Sequence, residues 1–369
     1  MKTSGSSAPL DCFLIADDLT GACDAAVHFA MRGRRTLVAV TPGAGVAEAT
    51  VAAISTDSRD LEAAAARNAI ANSAARLTDR SPAILFKKID STVRGHAAVE
   101  IEAALVAFGC DAAVVCPAFP QMNRIVEAGS LLVAGDPNFA RIDMVAQFRS
   151  PGAECVHTGP AGAAAAIAAG ARVVTLDAVC DDDLDRIAAA GLALDRRVLW
   201  AGSAGLAAAL ARTLPVAARP FPRPEPKGPV LFCIGSDHPV TVAQQTTLVC
   251  QRGVVLLRSG ISGADIEAAL GRGQHVMLRI PRGVSFARWL TVLVASVPGC
   301  ALLLSGGYTA SQLCRAAGVQ WIDLFDEIIP GVPRGVIRGG DLDGVSVATK
   351  SGGFGGADAL IQVADYFHA

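Results

Sequence analysis

Along the chain, hydrophobic positions gather in short, largely β-branched runs, and the stretches between them are longer, alanine-rich and interspersed with polar residues. The runs at 13–15, 36–40, 51–55, 84–87, 112–116 and 172–176 read as strands, and 61–77 and 97–108 read as helices. Strands alternating with helices predict a parallel sheet with helices on its faces. The pattern stops at 218–229, where Pro220, Pro222, Pro224, Pro226 and Pro229 forbid helix and favour an extended spacer. It then restarts, with strands expected at 230–234, 254–257, 276–280 and 301–305 and a helix near 240–250. The fold class is therefore α/β, in two domains (1–217 and 230–369) joined by a Pro-rich linker (218–229), each with a largely parallel sheet flanked by helices. In such folds ligands bind outside the carboxyl ends of the strands, so the active site is expected in the interdomain cleft.

Composition narrows the function. The 369 residues carry 32 Lys plus Arg against 34 Asp plus Glu, a net charge of −2, and only 5% aromatics. So balanced a charge argues against a nucleic-acid partner, which normally needs a basic stripe, and so few aromatics leave base-stacking platforms scarce. The ten cysteines include no C-x-x-C pair and no zinc spacing, and several sit inside apolar runs, as Cys116 and Cys233 do. They read as small core hydrophobes of a reducing compartment. The first eleven residues lack the apolar core of a signal peptide, and no apolar run reaches the roughly 20 residues of a membrane span. A cytoplasmic protein with no membrane partner is expected.

Candidate chemistry lies in the turns that follow strands. Asp17 and Asp18 stand at the end of the first strand, before Thr20, Gly21 and Asp24. Carboxylates there can take a proton from a substrate hydroxyl or hold Mg2+; equally, Asp18 or Thr20 can simply cap the following helix. Lys88, Asp90, Ser91 and Arg94 crowd the turn after the 84–87 strand. The arginine fork suits a carboxylate or phosphate, although Asp90 and Arg94 can also pair with each other. Arg124 follows a third strand, and Ser203 reads as the N-cap of an alanine-rich helix. The second half holds three glycine turns: Gly235-Ser236-Asp237-His238, Ser305-Gly306-Gly307-Tyr308-Thr309 and Lys350-Ser351-Gly352-Gly353. Each can bring backbone N–H groups against a phosphate, and three in one domain favour a nucleotide. A Walker P-loop, a dinucleotide fingerprint after either domain's first strand and a G-x-S-x-G elbow are all absent.

In this order the segments resemble the four-carbon acid sugar kinase family, over nearly the whole chain. The anchors are Ala16-Asp17-Asp18-Leu19-Thr20-Gly21-Ala22 with Asp24, Lys88-Ile89-Asp90-Ser91-Thr92 with Arg94, Pro117-Ala118-Phe119-Pro120 with Arg124, Gly235-Ser236 with Thr241, Gly306-Gly307 with Thr309, and Lys350-Ser351-Gly352 with Phe354-Gly355. The resemblance implies an ATP-dependent kinase of threonate, erythronate or 3-oxo-tetronate, using Mg2+. It also implies a sugar-acid domain at 1–217 and a nucleotide domain at 230–369. Asp17 or Asp18 would then take the hydroxyl proton. The acid would meet Asp24, Lys88, Asp90, Ser91, Arg94 and Arg124, with Arg94 assigned to its carboxylate and Lys88 the second candidate for it. ATP would meet Ser236, His238, Gly306, Gly307, Tyr308, Thr309, Gly352 and Gly353, and no residue is assigned to the metal. The chain departs from the family pattern at Tyr308, where an acid is common, at His238 (a frequent serine), at Gly353 (a frequent asparagine) and at Asn123, where glycine is usual but Asn also accepts a left-handed backbone. The alternative is a non-catalytic two-domain sensor of a sugar acid and a nucleotide. Whether the chain acts alone or as a homodimer is left open by the sequence.

Overall fold

The computed structural model describes residues 9–40, 49–75, 81–150, 154–217, 228–252, 254–257, 263–281 and 294–368. The proline-rich stretch read as a linker lies outside the described residues except for Gly228 and Pro229. The described residues fall into two compact units: 9–17, 32–34 and 49–217 form the first, and 18–31, 35–40 and residues from 228 onward form the second. The chain thus passes from the first unit to the second between Asp17 and Asp18.

The first unit holds seven parallel strands in the order Val51–Ser55, Cys12–Ala16, Ile84–Lys88, Val198–Gly202, Ala112–Cys116, Val173–Leu176 and Cys155–Thr158. The central strands Cys12–Ala16, Ile84–Lys88 and Ala112–Cys116 are buried at every position, which is why the first and last read as unbroken apolar runs rather than as alternation, while Ile84–Lys88 ends in the buried Lys87 and Lys88. The helices include Ala63–Ala74, Ala97–Phe108, Asp181–Leu192 and Ala204–Thr213. Ser203 caps the last of these: its hydroxyl accepts from Gly205 N–H at 3.2 Å and donates to the Ala118 carbonyl at 2.6 Å. Strands Arg124–Glu127, Ser130–Val133 and Ile142–Asp143 form a separate antiparallel sheet. Asn123, which leads into it, has φ +62°, the left-handed conformation its glycine-like position calls for.

In the second unit, parallel strands run in the order Val255–Leu257, Val276–Arg279, Val230–Ile234, Ala301–Ser305 and Ser346–Lys350. Antiparallel strands Val332–Arg338, Trp321–Ile329 and Thr36–Ala39 continue from there. One face packs against helices Pro239–Arg252 and Ala359–His368 through Val230, Phe232, Leu248, Leu303, Leu360 and Phe367. Helix Leu19–Ala30, although it belongs to the N-terminal part of the sequence, packs on Trp321–Ile329, Val332–Arg338 and helix Gly307–Ala316. All ten cysteines are free thiols, eight of them buried. Among the described residues, no helix is long and apolar enough to cross a membrane.

One buried ion pair ties the first unit's helices to its strand ends. The Lys87 ammonium, fully buried, stands 3.0 Å from Glu100 Oε2 and donates to the Lys88 carbonyl at 2.6 Å. The other Glu100 oxygen accepts from the Ser58 hydroxyl. Breaking such a pair from one side strands the remaining charge in a low dielectric, whereas removing both charges does not. Lys87→Met is therefore expected to lower the unfolding free energy by about 3–5 kcal/mol, and Lys87→Met with Glu100→Leu by clearly less. Denaturant unfolding of the two variants measures the difference.

Candidate functional site

In the first unit the polar residues gather at the carboxyl ends of Cys12–Ala16, Val51–Ser55 and Ile84–Lys88. Arg59, in the turn after Val51–Ser55, grips both oxygens of Asp17: Nε donates to Oδ2 at 2.7 Å and Nη2 to Oδ1 at 2.9 Å. Arg59 Nη2 also lies 3.8 Å from Asp90 Oδ1. Burial would raise the Asp17 carboxyl, but Arg59, Lys87 and Lys88 outweigh it and hold the group below the usual carboxylate range. Asp90 follows the same logic more strongly: burial opposes, and hydrogen bonds from Arg94 and Thr92 with the charge of Arg59 hold it well below that range.

The Asp90 turn is tightly determined. Its Oδ2 accepts from Thr92 N–H at 3.1 Å and from Thr92 Oγ1 at 2.5 Å, while Arg94 pairs with both oxygens at 2.9 and 2.6 Å. Between them Val93 sits at φ +58°, a conformation that costs a β-branched residue about 1–3 kcal/mol and persists only where neighbours impose it. The Arg94 side chain is 63% exposed and engaged with Asp90. Lys88 is 4% exposed. Its ammonium donates to the Ile89 carbonyl at 2.8 Å and pairs with no carboxylate among the described residues. Ser91 is buried in the same turn. Arg124 feels the charges of Asp90 and Arg94 and donates to the Met122 carbonyl. The structure thus brings Asp17, Lys88, Asp90, Ser91, Arg94 and Arg124 into one unit.

Asp18 and Asp24 belong to the second unit. Asp18 is the N-cap of Leu19–Ala30: Oδ1 accepts from Gly21 N–H at 2.6 Å and Oδ2 from Thr20 Oγ1 at 3.3 Å. Asp24 is buried within that helix. A side chain at Gly307 would strike the Asp18 carboxylate, so this acid lies against the start of helix Gly307–Ala316.

The three glycine turns, some 115 residues apart at the extremes, abut one another. A Cβ on Gly352 would collide with Ser236 Oγ, one on Gly235 with Thr309 Oγ1, and one on Gly306 would come 3.3 Å from Ser236 N. Gly306 has φ +102°, outside what other residues adopt at low cost. Ser236 Oγ accepts from His238 N–H at 3.3 Å. Tyr308 is 45% exposed. Behind the third turn lies the fully buried Lys350, which donates to Thr241 Oγ1 at 3.2 Å and to the carbonyls of Ser351 and Gly352 at 3.0 and 3.4 Å. The N–H groups of Gly352 and Gly353 have no acceptor among the described residues. Unpaired amides beside a cation are what an anionic phosphate requires.

The sequence reading passes over Arg59, whose only signal is its place after a strand in Thr56-Asp57-Ser58-Arg59. It also gives Lys350 no role of its own. Burial without a carboxylate partner pushes the Lys350 ammonium down to about 7. Between about 7 and the ordinary value of 10.5 the unfolded chain binds more protons than the folded one, so this lysine makes stability rise with pH across that window. Lys350→Met should remove that rise. The wild-type unfolding free energy, measured against the variant's, is expected to climb from pH 7 to 10 and to stay level below pH 7.

Comparisons with known proteins match two domain models in order along the chain. A model described as a sugar-binding N-terminal domain matches residues 12–210, and one described as a nucleotide-binding C-terminal domain matches 241–360. The chain is 35% identical to a D-threonate kinase of Bordetella bronchiseptica over 95% of its length and 96% of that protein's. Against a D-threonate kinase of Cupriavidus necator the figures are 36%, 94% and 95%. A D-erythronate kinase of Heliobacterium modesticaldum is 27% identical over 96% of both chains. A solved Haemophilus influenzae protein, 20% identical, shares the fold with a TM-score of 0.70 over 96% of this chain and 100% of that one. With both domain models matched in order and full-length relatives above 30% identity, the chain belongs to the four-carbon acid sugar kinase family.

Proposed function

We propose that the protein transfers the terminal phosphoryl group of ATP to a hydroxyl of a four-carbon sugar acid, with D-threonate as its substrate. The observation that carries this reading is the convergence of three glycine turns on Ser236, with the unpaired N–H groups of Gly352 and Gly353 in front of a buried lysine. The acid itself is inferred from the D-threonate kinases that share 35% and 36% of their residues with this chain.

Phosphoryl transfer needs positioning and charge neutralisation more than covalent help. In our reading the ATP phosphates lie on the amides of Gly307, Gly352 and Gly353, with Gly306, whose own N–H donates to the Lys350 carbonyl at 3.2 Å, Ser236, His238 and Thr309 beside them and Tyr308 at the margin. Lys88 binds the substrate carboxylate, because its buried ammonium has a single acceptor, and Arg94 is spent largely on Asp90. Ser91, Arg124 and the Asp17–Arg59 pair orient the sugar-acid hydroxyls. Asp18 accepts the proton of the attacking hydroxyl; Asp17, gripped on both oxygens by Arg59, is the weaker base. Among the described residues no three His, Cys, Asp or Glu side chains group as metal ligands. Mg2+ bound together with ATP would supply neutralisation of the charge on the transferred group, and no side chain is assigned to it.

A coupled ADP-release assay with Mg-ATP and a panel of D- and L-threonate, D- and L-erythronate and their 3-oxo forms tests the reaction. D-threonate is expected to turn over best. Silence across the panel with ATP still bound would favour the sensor. Asp18→Asn keeps a good helix cap, so a fall of about 10²–10⁴ in kcat would report lost proton transfer and not a lost helix. Asp17→Asn should act mainly on KM for the acid. An Asp18→Asn enzyme with near-normal kcat would overturn the assignment.

A further inference from the structure

Helix Pro239–Arg252 turns one polar stripe inward: Thr241 and Gln244 are fully buried, three residues apart on the same face, with Leu248 completing it. Burying a glutamine amide is costly unless it is hydrogen-bonded, and Gln244 is spent on one loop. Its Nε2 donates to the carbonyls of Phe354, Gly355 and Gly356 at 3.0, 3.0 and 2.8 Å. Thr241 Oγ1 donates to the Gly352 carbonyl at 2.6 Å, and Lys350 takes those of Ser351 and Gly352. Five carbonyl oxygens of the segment 351–356 are thereby drawn inward by three side chains.

Peptide geometry converts this into a statement about donors. In a planar trans peptide the C=O of one residue and the N–H of the next point in opposite directions, and the described chain has no cis bond. Carbonyls held inward at Phe354 and Gly355 therefore aim the N–H groups of Gly355 and Gly356 away from Gln244. Those at Ser351 and Gly352 do the same for Gly352 and Gly353. None of these four N–H groups has an acceptor among the described residues. The Gln244 amide shares its two N–H bonds among three carbonyls on one side of the loop, while the four glycine N–H groups on the other side, half-buried at 352, 353 and 355 and exposed at 356, stay available to a ligand that displaces water.

We propose that Gln244 is a positioning residue of the nucleotide site, holding the Gly355 and Gly356 peptides so that their N–H groups extend the phosphate cradle begun by Gly352 and Gly353. The proposal rests on the reading of the second unit as the ATP site. Gln244 touches no phosphate itself; it acts through the loop. Lys350 and Thr241 orient the first two peptides, and Gln244 orients the next two. Leucine at 244 keeps the volume but donates nothing, and glutamate sets a carboxylate against three carbonyl oxygens.

ATP titration calorimetry and steady-state kinetics on wild type, Gln244→Leu and Gln244→Glu provide the test. Gln244→Leu is expected to weaken ATP binding and raise KM for ATP about tenfold, with Gln244→Glu weaker still. Saturating kcat and KM for the sugar acid should stay within about twofold, a split that a general loss of packing would not produce. ATP affinity within about twofold of wild type in Gln244→Leu would overturn the proposal. Should the variants fail to fold, amide hydrogen exchange of the wild type decides: Mg-ATP should slow exchange at 352–356, and unchanged exchange at Gly355 and Gly356 with ATP bound would overturn it. Wild type that binds no ATP overturns the nucleotide reading and the proposal with it, an outcome the variants cannot mimic.

Discussion

A lysine ammonium can be buried only if the fold surrounds it with acceptors, and this constraint organises both units. Lys87 meets it with a carboxylate: Glu100, itself held by Ser58, fixes helix Ala97–Phe108 against strand Ile84–Lys88. Lys350 meets it with neutral oxygens, from Thr241 and from two carbonyls of the turn that follows its strand. The consequences differ. The first lysine locks the scaffold under Asp17 and Asp90. The second is paid for by the backbone of a loop, and that loop is left with its amides facing outward.

The boundary between Asp17 and Asp18 gives two adjacent carboxylates different work. Asp17 closes a strand and is neutralised by Arg59 from a neighbouring turn, so it belongs to an ion network with Asp90 and Lys88. Asp18 opens a helix, satisfies its first N–H groups and lies against Gly307. Of the two roles open to Asp18 on the sequence, the structure shows the cap: Oδ1 accepts from Gly21 N–H at 2.6 Å and Oδ2 from Thr20 Oγ1 at 3.3 Å.

Much of the fold was legible in the chain. Strands Val51–Ser55, Ala112–Cys116, Val230–Ile234 and Ala301–Ser305 lie where the apolar runs place them, because a parallel strand buried on both faces must be continuously apolar. The hairpin Trp321–Ile329 and Val332–Arg338 escaped the same reading. Asp323, Asp326, Glu327, Pro333 and Arg334 interrupt its apolar run, and its register shifts after Leu324 and Glu327. The pairing of Asp326 with Arg334 makes those charges acceptable in a strand, and nothing local announces it.

Hydrophobic periodicity, glycine placement and strand-following acids are local properties, so the sequence by itself determined the α/β class, the turns that carry polar residues and the family. Which charges cancel is decided by partners distant along the chain, and only the tertiary structure supplied them. It spent Arg94 on Asp90, set Arg59 on Asp17, placed helix Leu19–Ala30 on strands three hundred residues later, and brought Ser236 against Gly352. The physical reason is that an ion pair or a close backbone approach depends on distances of a few ångströms, and chain spacing does not encode such distances until the sheet has been ordered.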